Sequence, residues 1–152
     1  MRRFLTILTL VATLATLPLG AQEGLHINAL FGDRYKNRAD ATEVLLKGRQ
    51  IRDYGLTLFR SISLPGNTVE ARQIETLVGK DAAGATDKEA GMKGGRLYYG
   101  FYRLKPKEGK LNRYIFYRNN ALKDKAKPTL TLIYMEGTAS IEQLRQRFGR
   151  ND

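Results

Sequence analysis

Basic and aromatic side chains interleave through one part of this chain, RLYYGFYRLK and then LNRYIFYR. Lys93 to Lys127 carries eleven basic residues against Glu108 and Asp124, and holds five of the eight tyrosines. The two runs flank a Pro106-Lys107-Glu108-Gly109 turn and predict a β-hairpin, whose side chains alternate between two faces. If Leu104 pairs with Leu111, then Tyr99, Phe101, Tyr114 and Phe116 form an aromatic core face. Tyr98, Tyr102, Arg113 and Tyr117 then surround Gly100 as a flat platform, open at the glycine. A slip of one residue exchanges the two sets. Tyrosine and arginine are the side chains enriched where partners bind, and Lys105, Lys107, Lys110 and Arg118 would attract an acidic one. Three readings compete: both faces covered, with lysines guarding an edge; a recognition surface for a partner protein or an anionic or glycan envelope component; or stacking on nucleic acid.

Catalytic candidates are fewer. His26 is the only histidine, so a nucleophilic triad or a histidine-held metal would rest on it alone. It falls in Leu25-His26-Ile27, which reads as a short strand and makes it an ordinary surface or half-buried histidine. Asp81, Asp87 and Glu89 are the best clustered carboxylates and flank a glycine-rich stretch. A small carboxylate-dependent hydrolase of envelope or extracellular polymer would need two of these, or Asp53, within about 10 Å. The stretch has neither the aspartate ladder of a calcium loop nor the Gly-Lys-Ser/Thr ending of a phosphate loop. No metal and no cofactor is therefore expected.

The elements that must position these residues can be read from pattern. Thr42 to Lys47 and Leu56 to Leu64 read as strands that could pair, the second with Arg60 on the same face as Leu58 and Ile62. An arginine there must snorkel out or find a partner. Asn67 with Glu70 fits a capping box, and Ala71, Ile74, Leu77 and Val78 give a helical stripe. Gly79 to Gly95 reads as a long loop. Thr129 to Glu136 is a β-branched, apolar strand. Ser140 with Gln143 makes a second capping box, ahead of the stripe Ile141, Leu144 and Phe148. The pattern predicts an α+β fold with a mainly antiparallel sheet of five to six strands and two to three helices, packed on one face.

Where the protein works is set by its first 21 residues. Arg2 and Arg3 precede an apolar stretch from Phe4 to Leu17, and Pro18-Leu19-Gly20-Ala21 offers a cleavage site. As a helix this stretch rises about 21 Å, short of a hydrocarbon core of about 30 Å. Residues 1–21 read as a cleaved signal peptide and 22–152 as a single domain, periplasmic or extracellular, with no membrane span after cleavage. The formal charge of +11 falls to +9 without Arg2 and Arg3, all of it in Lys93 to Lys127. The chain has no cysteine, which excludes a disulfide framework and a thiol nucleophile in an oxidising compartment. Export also argues against nucleic acid as a partner. The sequence sets no oligomeric state.

KGRQIRDYGLTLFRSI, RLYYGFYRL with NRYIFYRNN, and LTLIYMEGTASIEQL together resemble small exported proteins of unknown function from Bacteroidetes. The resemblance implies an α+β domain in the periplasm or outside the cell, and brings no activity, ligand or active-site residue with it. The reading is an exported, non-enzymatic binding or interaction module with the basic, tyrosine-rich hairpin as its recognition surface.

Overall fold

The computed structural model describes residues 24–32, 34–106 and 111–148; the leader expected over residues 1–21 lies outside them. Six strands form one sheet: β1 (Thr42–Lys47), β2 (Leu56–Pro65), β3 (Asp87–Lys93), β4 (Arg96–Leu104), β5 (Asn112–Asn119) and β6 (Thr129–Gly137). Two helices accompany them, α1 (Val69–Ala82) and α2 (Ile141–Phe148). The spatial order is β1-β2-β6-β5-β4-β3, and every neighbouring pair is antiparallel. This is the α+β class that the pattern predicts. The chain builds β1 and β2, crosses the sheet through α1, and returns from the far edge as the meander β3 to β6.

Each helix starts where its polar residues can satisfy free backbone N–H groups. At α1 the cap is Thr68, whose hydroxyl accepts from the Ala71 N–H at 3.1 Å. That is one residue beyond the expected Asn67. At α2 the capping box forms as expected. The Ser140 hydroxyl accepts from the Gln143 N–H at 3.2 Å, and the Gln143 side chain accepts from the Ser140 N–H at 2.9 Å.

Strand alternation sorts the core into two layers. Leu58, Ile62, Tyr102, Leu104, Ile115, Tyr117, Leu132 and Tyr134 face α1, where Ala71, Ile74 and Val78 cover them. A short 3-10 turn, His26–Leu30, completes that cover with Ile27 and Leu30. Tyr99, Phe101, Tyr114, Phe116, Ile133 and Met135 point the other way, against Ile141 and Leu144 of α2. The helices therefore divide between the faces, and do not pack on one as expected. β6 is apolar at consecutive positions because both of its faces are covered.

Two further expectations are corrected. Leu25-His26-Ile27 is not a strand but leads into the 3-10 turn. Gly79 to Gly95 is not a loop: it holds the last turn of α1 and the whole of β3. Gly94 and Gly95, at φ +57° and +76°, turn the chain from β3 into β4, a conformation open to glycine at no steric cost. β3 escapes a pattern reading because it is an edge strand in which Gly91 alone is buried. Arg60 finds partners on the α1 face: Glu43 at 3.5 Å and the Phe31 ring, whose centroid lies 5.1 Å from the guanidinium carbon. No described helix is long and apolar enough to cross a membrane.

Candidate functional site

The hairpin of β4 and β5 forms, with Leu104 opposite Arg113 and not Leu111. The offset is two residues, so parity is preserved and the aromatic core face is as expected. Its rings meet edge to face: Tyr99 with Phe116 at 5.8 Å, and Phe101 with Phe116 at 5.9 Å between centroids. That geometry aligns ring edges with ring faces and adds to the burial.

The opposite face is not an open platform. Tyr102 and Tyr117 are 4% and 0% exposed and belong to the core beneath α1. The space above Gly100 is taken by Tyr102, whose ring would come within 2.5 Å of any Cβ placed there. Gly100 thus admits its neighbour's ring and leaves no gap for a ligand. Burial raises the Tyr102 hydroxyl above the usual tyrosine pKa. Burial, then the charge of Glu75, pushes Tyr117 up to about 12.

Tyr98 is separated from these two. A bulge sets Gly91 opposite Tyr99 but Met92 opposite Leu97, which makes Tyr98 the extra residue and turns it to the α2 face. There its ring covers Gly91, and the Lys123 ammonium lies 4.3 Å from its centroid. Arg113 is half-buried and donates from Nε to the Lys105 carbonyl at 3.0 Å. Beside it the Tyr134 hydroxyl donates to Glu136 at 2.6 Å. Burial first, then this carboxylate, raises Tyr134 far above its ordinary value, with Arg113 opposing them. Arg118 is half-buried over the Tyr99 ring, at 5.9 Å. Lys105 is exposed at the end of β4; Lys107 and Lys110 lie outside the described residues. The expected recognition residues are thus dispersed over both faces and one sheet end.

The carboxylates divide between the two faces: Asp87 and Glu89 meet at one arginine, within the separation a carboxylate pair would need, but Asp81 lies apart. Asp81 is buried under the N-terminal turn and accepts the N–H groups of His26 and Ile27 at 2.8 and 2.9 Å. The His26 ring Nδ1 lies 2.8 Å from the same carboxylate, while its side chain remains 53% exposed. Asp87 and Glu89 sit on the α2 face, 3.6 and 3.1 Å from the Arg145 guanidinium. Asp81 is thus committed to backbone donors on one side of the sheet, and Asp87 and Glu89 to an arginine on the other. Among the described residues no group of three or more His, Asp or Glu is placed to hold a metal ion.

What the fold does bring together is an open groove of about 450 Å³ between α1 and the β3 edge. Gly79, Ala82 and Ala83 line one wall, Ala90 and Met92 the other, with Tyr102 on its floor. Met92 is 60% exposed. At the rim Glu75 is fixed by the Leu97 N–H and Arg96 Nε, each at 2.9 Å, and Lys88 stands on the β3 side. Small walls, an aromatic floor and rim charges suit binding. Six of these residues, Gly79, Ala82, Ala83, Lys88, Ala90 and Met92, lie in the stretch from Gly79 to Gly95 that reads as a loop in sequence. The signal was the Gly94-Gly95 pair between Lys93 and Arg96, a two-residue hairpin turn that predicts a strand on each side.

Fold and site define an antiparallel α+β sheet with one helix on each face and a small-residue groove beside one edge. Residues 14–148 match the family described as "Family of unknown function (DUF6108)", and the chain belongs to it. No curated protein and no solved structure matches the chain.

Proposed function

We propose that the protein is an exported, non-enzymatic binding module of the bacterial envelope, working in the periplasm or outside the cell. The three-part build of residues 1–21 supports the location. The groove between α1 and β3 supports the activity: it is lined by small and apolar side chains and holds no free acid–base pair. Its occupant is an apolar segment of a partner protein with acidic neighbours, seated over Tyr102 and drawn in by Lys88 and the surplus of basic residues between Lys93 and Lys127. Of the residues first expected to recognise a partner, Tyr102 keeps that role from the groove floor. Lys105, Lys107, Lys110 and Arg118 contribute long-range attraction.

Filling the groove tests this. Ala90→Trp adds bulk at an exposed position of β3, and Gly79→Leu adds it from α1, where a new Cβ meets no atom within 4 Å. Both variants are expected to fold and to lose at least tenfold in capture of an envelope protein that the wild-type protein retains. Equal capture by the filled variants, or none by the wild-type protein, overturns the reading.

A further inference from the structure

The two edges of the sheet are not alike. β3 carries Asp87, Lys88, Glu89 and Lys93, and its ladder is broken by the bulge at Tyr98 of β4; charges and an irregular ladder keep an edge from pairing with another chain. β1 reads Thr-Glu-Val-Leu-Leu-Lys and has no bulge against β2. Its centre is apolar and open, with Val44 37% and Leu45 47% exposed. A regular apolar edge flanked by single opposite charges is suited to meeting a copy of itself.

From this we propose that β1 is a homodimer edge. Two copies pair antiparallel through Thr42–Lys47 about a two-fold axis at Leu45, giving one continuous sheet. A two-fold axis normal to the sheet keeps each face on its own side, so residues opposite each other must share a face. Glu43, Leu45 and Lys47 lie on the α1 face and Val44 and Leu46 on the α2 face, as their pairing with β2 shows. Centring on Leu45 sets Glu43 against Lys47 of the second copy, twice, and Leu45 against Leu45 of the second copy. Centring on Val44 would set Glu43 against a leucine, and centring on Leu46 would do so to Lys47. The Leu45 register is the one that matches both charges.

The surroundings accommodate it. Among the described residues Glu43 engages its own chain through Oε1, on the Gly32 N–H at 3.0 Å and on Arg60 at 3.5 Å. Lys47 is exposed. On the α2 face Leu46 borders a shallow apolar depression of about 360 Å³ with Ile51, Tyr54, Phe59 and Phe148. In the dimer Val44 of the second copy comes down beside Leu46, at the open side of that depression. The backbone groups of β1 that face away from β2 gain partners in the same step.

The chain has no cysteine, so single cysteines report the register directly. Opposed residues of an antiparallel pair have Cα atoms about 4.5–5.5 Å apart, within the span of a disulfide. Sedimentation is expected to show a dimer. Under mild oxidation Leu45→Cys should cross-link, whereas Val44→Cys and Leu46→Cys should cross-link only when mixed. Lys47→Glu, which sets two carboxylates opposite each other, should raise the dimer dissociation constant at least tenfold, with the melting temperature of the dilute, monomeric protein unchanged. Ala90→Trp, on the other edge, should leave the dimer intact, which separates this test from that of the groove. A wild-type monomer at about 1 mM overturns the proposal, as does cross-linking strongest at Val44→Cys or Leu46→Cys alone. A monomer that loses an envelope partner through Lys47→Glu assigns the edge to a foreign strand, and overturns it equally.

Discussion

Alternating residues of the same strands meet very different covers on the two sides of the sheet. On one side α1, with 14 residues, and the His26–Leu30 turn enclose a layer that includes Tyr102, Tyr117 and Tyr134. On the other, α2 has eight residues and leaves Phe59, Leu46 and Phe148 only partly buried. The helices are about 21 Å and 12 Å long, and the shorter cannot span the strands the longer crosses. Polar groups differ accordingly. The α1 face holds Asp81 on buried backbone donors, whereas the α2 face holds Asp87 and Glu89 in an exposed pairing with Arg145. A tyrosine-rich strand therefore does not by itself mean a binding face; the length of the helix above it decides.

The largest test of that contrast is Tyr117→Ala. Emptying a fully buried ring site should cost about 3–5 kcal/mol, a large part of a total stability of about 5–15 kcal/mol, and should bring the urea midpoint down sharply. An unchanged midpoint with altered capture would instead return Tyr117 to the surface role expected from sequence.

High pH should act on the same face. Folding raises the Tyr117 pKa to about 12, above the ordinary value of about 10. Its contribution is complete below pH 10 and is lost as pH rises toward 12, because the unfolded chain ionises first. The loss from Tyr117 alone is on the order of 3 kcal/mol, and Tyr102 and Tyr134 shift in the same direction. Tyrosinate absorbance and unfolding should therefore rise together in that interval. Ionisation well before unfolding would show that the α1 face is open to solvent.

Asp81→Ala comes next. It strands the His26 and Ile27 N–H groups and should cost on the order of 2 kcal/mol. Glu89→Ala, which releases a half-exposed partner of Arg145, should cost about 0–1 kcal/mol. Equal losses in chemical denaturation would erase the distinction between a sealed and an open face.

How much was legible follows from which residues had neighbours in sequence. β1, β2, β4, β5, β6 and both helices could be read, since alternation, helical stripes and the Ser140–Gln143 capping box are local signals. The faces of the hairpin were legible too, because an offset of two residues preserves parity. Four things were not. Which helix covers which face depends on the crossover of α1. The covering of Tyr102 depends on its own ring folding over Gly100, a rotamer matter with no pattern. The groove depends on β3, whose exposed DKEAGMK has no alternation because one side of an edge strand meets solvent. Asp81 and His26, 55 residues apart, offered no spacing to read.

The smallest effect is also the one that ties stability to the groove. Gly79 sits in α1 with no atom within 4 Å of where a Cβ would be, and glycine in a helix is less favourable than alanine by about 0.5–1 kcal/mol. Gly79→Ala should therefore raise the melting temperature slightly, a gain that owes nothing to packing. The added methyl projects into the groove wall opposite Ala90 and Met92. If an apolar segment docks there, the same substitution should weaken its capture while strengthening the fold, an opposition expected where a site is maintained at some cost to stability. A variant more stable and equally competent in capture would move the binding surface away from the α1 side and leave the open α2 side as the region to probe.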